Sequence, residues 1–193
     1  MTNQYYDENA EGFFNTTYQV KMDALYAPFL QYLPKQGHIL DLGCGSGRDS
    51  LAFKKLGYTV TAMDLSAELV KKATQLTGLK VQQKSFYDLD EIRQYDGIWA
   101  CASLLHCERH LLDDVLQKMT NALKSHGVMY LSFKYGDSDR EQAGRKFTDL
   151  NEEQAAVCLK NNKQLKLLNQ WITKDQRPDR NERWLNLLIQ KMI

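Results

Sequence analysis

The run His38-Ile39-Leu40-Asp41-Leu42-Gly43-Cys44-Gly45-Ser46-Gly47-Arg48-Asp49 concentrates residue types that could do chemistry. It reads as a short apolar strand with an aspartate at its tip, then three glycines at alternate positions opening a helix. Glycine tolerates positive φ and carries no side chain, so a ligand can lie directly on such a backbone. The helix that follows turns unpaired N–H groups and the positive end of its dipole toward the same place. The pattern is a cradle for a nucleotide-type cofactor. A dinucleotide fingerprint, G-x-G-x-x-G counted from Gly43, needs its third glycine at residue 48, where Arg48 stands, and Gly47 comes one place early. The glycine that lets a dinucleotide-binding helix pack closely on its strand is therefore missing.

The observed D-x-G-x-G-x-G resembles motif I of the class I S-adenosylmethionine (SAM)-dependent methyltransferases. There the aspartate and glycines embrace the methionine part of the cofactor. That resemblance calls for a second acid, on the ribose, at the end of the next strand. Residues 58–64 alternate as a strand should and end in Asp64, with Leu65-Ser66 opening another helix. A carboxylate there accepts from both ribose hydroxyls. Taken singly, the glycines fit an ordinary strand-to-helix turn and Asp64 fits a helix N-cap. The two at this separation favour the cofactor.

Strand candidates near 38–42, 58–64, 79–85, 96–102 and 127–134 alternate with helix candidates near 47–56, 66–76 and 108–124, with another near 149–161. Such alternation implies a parallel sheet with helices on both faces and right-handed crossovers. Ligands then bind beyond the carboxyl ends of the strands, where strand order reverses. Asp41, Asp64, Ser85 and Ala102 all fall at such ends. The tail breaks the alternation: residues 165–172 and 184–189 are strand-like, and the charged connector 173–183 contains Pro178. That predicts an antiparallel hairpin closing the sheet edge, matching the sixth and seventh strands of the methyltransferase fold. The expected fold is α/β, a Rossmann-like seven-stranded sheet, mostly parallel, in a single domain over 1–193. Residues 1–36 are expected as a helical cap of two segments around Phe13, Phe14 and Tyr18, and 37–193 as the core.

A chain of 193 residues buries a substantial core, and a net charge of +1 gives no whole-chain attraction to nucleic acid or anionic membrane. The apolar runs are too short and too interrupted by charge to span a bilayer. Met1–Glu8 has neither a basic n-region nor an apolar h-region, so no secretory signal and a cytoplasmic location are expected. Four cysteines without a C-x-x-C pair suit a reducing compartment. Cys101, His106, Cys107 and His110 form the tightest metal-like grouping, with the two histidines one turn apart if that segment is helical. Cys101 sits inside an apolar run and reads as a small buried hydrophobe, so no metal is expected.

More narrowly, the chain resembles the tellurite-resistance-type and generic methyltransferase-domain proteins. The likeness runs through residues 6–10, 40–50, 95–100, 102–106, 132–136 and 147–150. It implies that Asp41, Gly43 and Gly45 meet the methionine moiety, with Arg48 at the mouth of the loop. It places Asp64 on the ribose and Leu65 on the adenine. Ser85-Phe86 stand where the family usually has an acid for the adenine amino group, and Asp88 is close enough to substitute. Ala100, Cys101 and Ala102 would floor the site beside the methyl, and Tyr5 and Tyr6 would reach the cofactor's carboxylate.

His106 follows the fourth strand, where an acceptor should approach, and an imidazole's ordinary pKa suits a base near neutrality. It is the catalytic candidate, against a structural histidine opening the next helix. Lys134, Tyr135, Arg140 and Arg145 follow the fifth strand, and Arg177, Arg180 and Arg183 lie in the hairpin connector. Neighbouring acids neutralise much of that charge. If Arg145 and Arg177 point inward, bidentate pairing implies an anionic acceptor. Lys134, Tyr135, Arg145 and Arg177 are thus the substrate-binding candidates. A small-molecule methyltransferase, monomeric or a small homo-oligomer, is the expected function. The alternatives are an RNA or protein methyltransferase and a non-catalytic SAM-binding protein. Ala102-Ser103-Leu104-Leu105 stands where amino-directed DNA enzymes carry Asn/Asp-Pro-Pro-aromatic, and no aromatic-interleaved basic patch is present.

Overall fold

Alternation along a strand decides which side of the sheet each residue serves. In the computed structural model, which describes residues 2–177 and 180–193, β1 (His38–Leu42) turns Ile39 to one face and Leu40 to the other. Both are fully buried, as a central parallel strand requires. Three helices precede it: α1 (Thr2–Glu8), α2 (Ala10–Thr17) and α3 (Asp23–Leu30). After it come α4 (Arg48–Lys55), β2 (Thr59–Asp64), α5 (Ala67–Thr77), β3 (Gln82–Gln83), β4 (Tyr95–Ala100), α6 (Leu112–Ala122) and β5 (Leu123–Lys134). The chain continues through β6 (Asp139–Gln142), β7 (Arg145–Thr148), α7 (Glu152–Asn161), β8 (Leu165–Lys174) and β9 (Arg183–Lys191).

The seven-stranded sheet has the order β3-β2-β1-β4-β5-β9-β8. Its first five strands run parallel, and β9 lies antiparallel between β5 and β8. This is the expected Rossmann-like sheet with its antiparallel hairpin; Pro178 of the connector lies outside the described residues. Strand order reverses between β1 and β4, which opens a crevice at their carboxyl ends. On one face Ile39, Trp99, Val128 and Tyr130 pack against Phe53 of α4 and Tyr26 and Phe29 of α3. On the other, Leu40, Ile98, Met129 and Leu131 meet Leu112, Leu116 and Met119 of α6. Trp99 and Tyr130 stack with ring centroids 3.9 Å apart, fixing β4 against β5 directly under the crevice.

Four expectations change. The N-terminal segment holds three helices, and α3 belongs to the core because Tyr26 and Phe29 are buried against the sheet. α1 and α2 cover the crevice, and α3 adds Leu25 to its lining. The strand expected over 79–85 shrinks to two paired residues, since Ser85 instead caps a 3₁₀ turn by accepting from Tyr87 N at 3.1 Å. The helix expected from 108 begins at Leu112, and 3₁₀ turns at Leu104–His106 and Arg109–Leu111 precede it. His106 and His110 therefore share no α-helical face. Finally, β6 and β7 form a hairpin where only a mixed-charge run was expected. Its turn residues Ala143 (φ 51°) and Gly144 (φ 72°) are both left-handed, the pattern of a type I′ turn. The usual Asn-Gly or Asp-Gly signal is absent, and long polar side chains mask the alternation. Among the described residues no helix is long and apolar enough to cross a membrane.

Candidate active site

The crevice is a cavity of about 970 Å³, near the upper end for a single-ligand pocket. Its floor is the glycine loop between β1 and α4. Gly43 N and Cys44 N both donate to the Met63 carbonyl at 2.9 Å, which staples the loop to β2. Gly45 N then donates to Asp64 Oδ2 at 2.8 Å and Ser66 N to Asp64 Oδ1 at 2.9 Å. A carboxylate has about four acceptor sites, so each oxygen keeps capacity for a further donor. Burial pushes the Asp64 carboxyl up, against the pull of these N–H groups. Half-exposed Leu65 stands beside it, and Ser66 caps α5 by accepting from Leu69 N at 3.2 Å.

Under the loop lie two buried acids with opposite fates. Asp49 accepts from Tyr26 Oη at 2.6 Å, Trp99 Nε1 at 2.8 Å, and Arg48 Nε and Nη2 at 2.6 and 2.9 Å. Burial disfavours its charge, but Arg48 and these donors outweigh burial and hold its carboxyl below the usual range. Asp41, which accepts from Ser50 Oγ at 2.5 Å, is pushed up by burial and then by the charge on Asp49. The two carboxyls are thus shifted in opposite directions, Asp49 toward the charged form and Asp41 toward the neutral one.

The roof is α1 with α2, held from both sides. Asp7 Oδ1 accepts from Ser66 Oγ at 2.6 Å, and Lys72 pairs with Glu11, tying the roof to α5. Lys146 N donates to Thr2 Oγ1 at 3.1 Å, tying it to β7. The residues expected on the acceptor side gather beneath the roof. Arg145 places its guanidinium 4.0 Å from the Tyr5 ring centroid and 5.1 Å from that of Phe147. Its Nε is buried with no hydrogen-bond partner, and it forms no ion pair among the described residues. Lys134 pairs with Glu182 at 3.2 Å. His106 contacts Tyr6 Oη through Nε2 at 2.8 Å and the Lys146 carbonyl through Nδ1 at 2.7 Å.

Gly43, Gly45, Arg48, Asp64, Leu65, Ser85 and Phe86 line the cavity, as do Tyr6, His106, Lys134, Arg145 and Arg177. Asp41, Ala100 and Tyr135 do not. Asp41 is sequestered beneath the loop, and Ala100 is fully buried in the sheet. Tyr135 turns away to donate to Glu152 at 3.0 Å. Arg48 reaches the cavity wall with its guanidinium committed to Asp49, and Arg177 is likewise engaged in two contacts to Asp175 at 2.9 and 2.5 Å. The expectation of a near-neutral His106 is overturned: burial, with Arg145 and Lys134 nearby, drives its pKa down to about 4. Sequence reasoning missed Asp49, Phe147 and Ser103. Only the last left a trace, as a polar residue directly after the fourth strand.

The lining fits the SAM that motif I implies. Asp64 retains acceptor capacity at the ribose position, and the glycine loop supplies side-chain-free floor. The buried Ser103 Oγ beside Gly43 has no partner among the described residues. Replacing Asp64 by Ala should weaken SAM binding roughly tenfold to a hundredfold, the loss expected when charge-assisted bonds worth about 1.5–3 kcal/mol disappear. Titration calorimetry checks this, and unchanged affinity in a folded variant would reduce Asp64 to a loop brace.

The methyltransferase-domain family profile matches residues 14–171. YqeM of Bacillus subtilis (strain 168), a methyltransferase by name, is 30% identical over 134 residues, covering 58% of this chain and 53% of YqeM. A ubiquinone biosynthesis O-methyltransferase of Xanthomonas axonopodis pv. citri (strain 306) is 29% identical over 124 residues, covering 59% of this chain and 52% of that protein. The chain spans about half the length of these curated relatives. Among solved structures, the 1,6-didemethyltoxoflavin-N1-methyltransferase of Burkholderia thailandensis superposes with a TM-score of 0.79 at 21% identity. That match covers 98% of this chain and 85% of the other, which holds bound 1,6-didemethyltoxoflavin and S-adenosylhomocysteine. Motif I, the strand order and the family match converge: this chain belongs to the methyltransferase-domain family, in its class I, SAM-dependent group.

Proposed function

We propose that the protein transfers a methyl group from SAM to a small acceptor bearing an anionic group, by in-line displacement. Bound SAM supplies an electrophilic methyl on a sulfonium whose leaving group is a neutral thioether. The protein's task is then to align the partners, exclude water and manage the acceptor's proton. Asp64 and the Gly43–Gly47 loop hold the cofactor, and α1 with α2 shield it from water. Arg145 holds the acceptor's anionic group.

The observation that carries the acceptor class is Arg145, a guanidinium stacked on Tyr5 with its buried Nε unpaired. A buried donor of this kind is costly unless a ligand completes it. The planar fork suits a carboxylate, phosphate or oxyanion. Lys134 and Arg177 line the same wall but are already paired with acids, so the anchoring role falls to Arg145.

Incubation with methyl-labelled SAM and fractionated cell extract tests the reading. Label should enter small anionic molecules. Label in RNA or protein would shift the reading to those acceptors, and saturable SAM binding without transfer would leave a non-catalytic SAM-binding protein. With the acceptor in hand, Arg145→Ala should raise its KM roughly tenfold to a hundredfold at nearly unchanged SAM affinity. An unaltered KM would show that the anionic group is held elsewhere.

A further inference from the structure

Tyr6 and His106 stand 100 residues apart in sequence and 2.8 Å apart in the cavity wall. The far side of the imidazole fixes the direction of that bond. A carbonyl oxygen only accepts, so Nδ1, 2.7 Å from the Lys146 carbonyl, carries the ring proton and donates it. Nε2 is then a bare lone pair, and the Tyr6 hydroxyl must donate to it. One lone-pair position of the Tyr6 oxygen faces the Arg145 guanidinium, and the other is left as the open end of a directed chain from phenol to imidazole to backbone carbonyl. The ring is held edge-on by Tyr5, Phe13 and His106, with centroids 5.3–5.5 Å away. The chain has a rigid geometry, a polar open end and a vacant proton site behind it.

We propose that this dyad is the proton path for the methyl acceptor: the Tyr6 oxygen takes the acceptor's proton as the phenol's own proton passes to Nε2 of His106. The inference rests on the methyltransferase reading. The electron pair of the broken bond stays on the acceptor atom, ready to form the new bond to carbon. The extra proton on the imidazolium leaves to solvent by the same path after methylation, so the dyad begins and ends neutral. The groups facing the pair are Tyr5 on α1, Asp64 at the end of β2, Lys134 on β5, Arg145 on β7 and, from the β8–β9 connector, Arg177. Burial together with the cations Arg145 and Lys134 keeps His106 unprotonated and only weakly basic at rest throughout the neutral range; an anionic acceptor paired with Arg145 offsets that cation and strengthens Nε2 as the proton site. Burial pushes the Tyr6 phenol up while Arg145 opposes it, so the hydroxyl keeps its proton at rest. Tyr6 is the group that meets the acceptor, and His106 is the positioning residue behind it.

The test uses the full chain with Tyr6→Phe and His106→Gln. A glutamine carbonyl still accepts the Tyr6 hydrogen bond but offers no basic site, so it separates a structural role from a proton role. Long-range ¹H–¹⁵N spectra without added ligand should show His106 protonated on Nδ1 alone from pH 5 to 8. Tyr6→Phe should shift the Nε2 resonance and spare Nδ1. A His106 that titrates in its ordinary range, or an Nε2 signal indifferent to Tyr6→Phe, overturns the dyad. In transfer from labelled SAM to extract, both variants should lose about a hundredfold or more, with SAM affinity within about threefold by calorimetry. Wild-type transfer in either variant, or a collapse of SAM affinity in Tyr6→Phe, overturns the proton role. Absence of transfer by the wild type, with the spectral signature intact, refutes the methyltransferase reading and with it the proton path, while leaving the dyad's geometry standing.

Discussion

Asp49→Ala should leave the protein largely unfolded, or cost it about 5 kcal/mol or more in urea denaturation. Breaking a buried ion pair by removing one partner costs about 3–5 kcal/mol, because the other charge stays behind uncompensated. Arg48, with 18% of its side chain exposed, is that charge. The same substitution strips the Tyr26 hydroxyl and the Trp99 indole N–H of their acceptor. Each orphaned donor adds about 1–3 kcal/mol. The sum rivals the whole stability of an ordinary domain, about 5–15 kcal/mol. Its location explains why the effect spreads: Trp99 stacks on Tyr130 at the centre of the sheet, and Tyr26 anchors α3.

Linkage gives a second signature. The Asp49 carboxyl is held below its unfolded value, so its contribution is complete above the ordinary carboxylate range and drains as pH falls through the depressed folded value. Arg48→Met together with Asp49→Leu, which removes both charges, should recover the part of the loss due to the unpaired Arg48 charge and flatten this acid limb, while the Tyr26 and Trp99 donors stay orphaned. A stable Asp49→Ala protein with an unchanged acid limb would mean that water replaces the carboxylate at no cost.

Gly43→Val should also act through the fold, at about 2–5 kcal/mol, and abolish saturable SAM binding. Gly43 sits at φ 78°, and a β-carbon built there would lie 2.4 Å from the Ser103 Cβ. Left-handed backbone costs an L-residue about 1–2 kcal/mol, and overpacking adds about 1–3. The neighbour cannot yield easily. Ser103 follows Ala102, itself held at φ 53° with its N–H donating to Ser132 Oγ at 2.8 Å. Gly45 provides the control. A β-carbon there first meets the movable ring of Phe13 on α2 at 3.1 Å. Gly45→Val should therefore disturb the roof and cofactor binding more than global stability. Thermal unfolding of the two variants with and without S-adenosylhomocysteine separates these effects, and equal losses of apo stability would refute the distinction.

What the sequence determined is local. Glycines at 43, 45 and 47, the acids Asp41 and Asp64 at the tips of the first two strands, and period-two apolar runs are imposed by backbone sterics and by burial on both faces of a sheet. Those constraints act within a few residues, so the cofactor loop, Asp64 and the parallel sheet with its terminal hairpin were legible. Tertiary structure alone decided which polar groups meet and what charge they carry. Asp41 and Asp49 are the same residue type eight positions apart, yet Arg48, Tyr26 and Trp99 surround only the second. Arg145 and Arg177 look alike in a charged run, but Asp175 claims one while Tyr5 and Phe147 flank the other. His106 reads as a near-neutral base until burial and two cations push its pKa down, and Tyr6 reaches it only because β7 and α5 pin α1 over the crevice. Burial and opposite charge set protonation. Both come from residues brought together across the chain, which spacing along it does not encode.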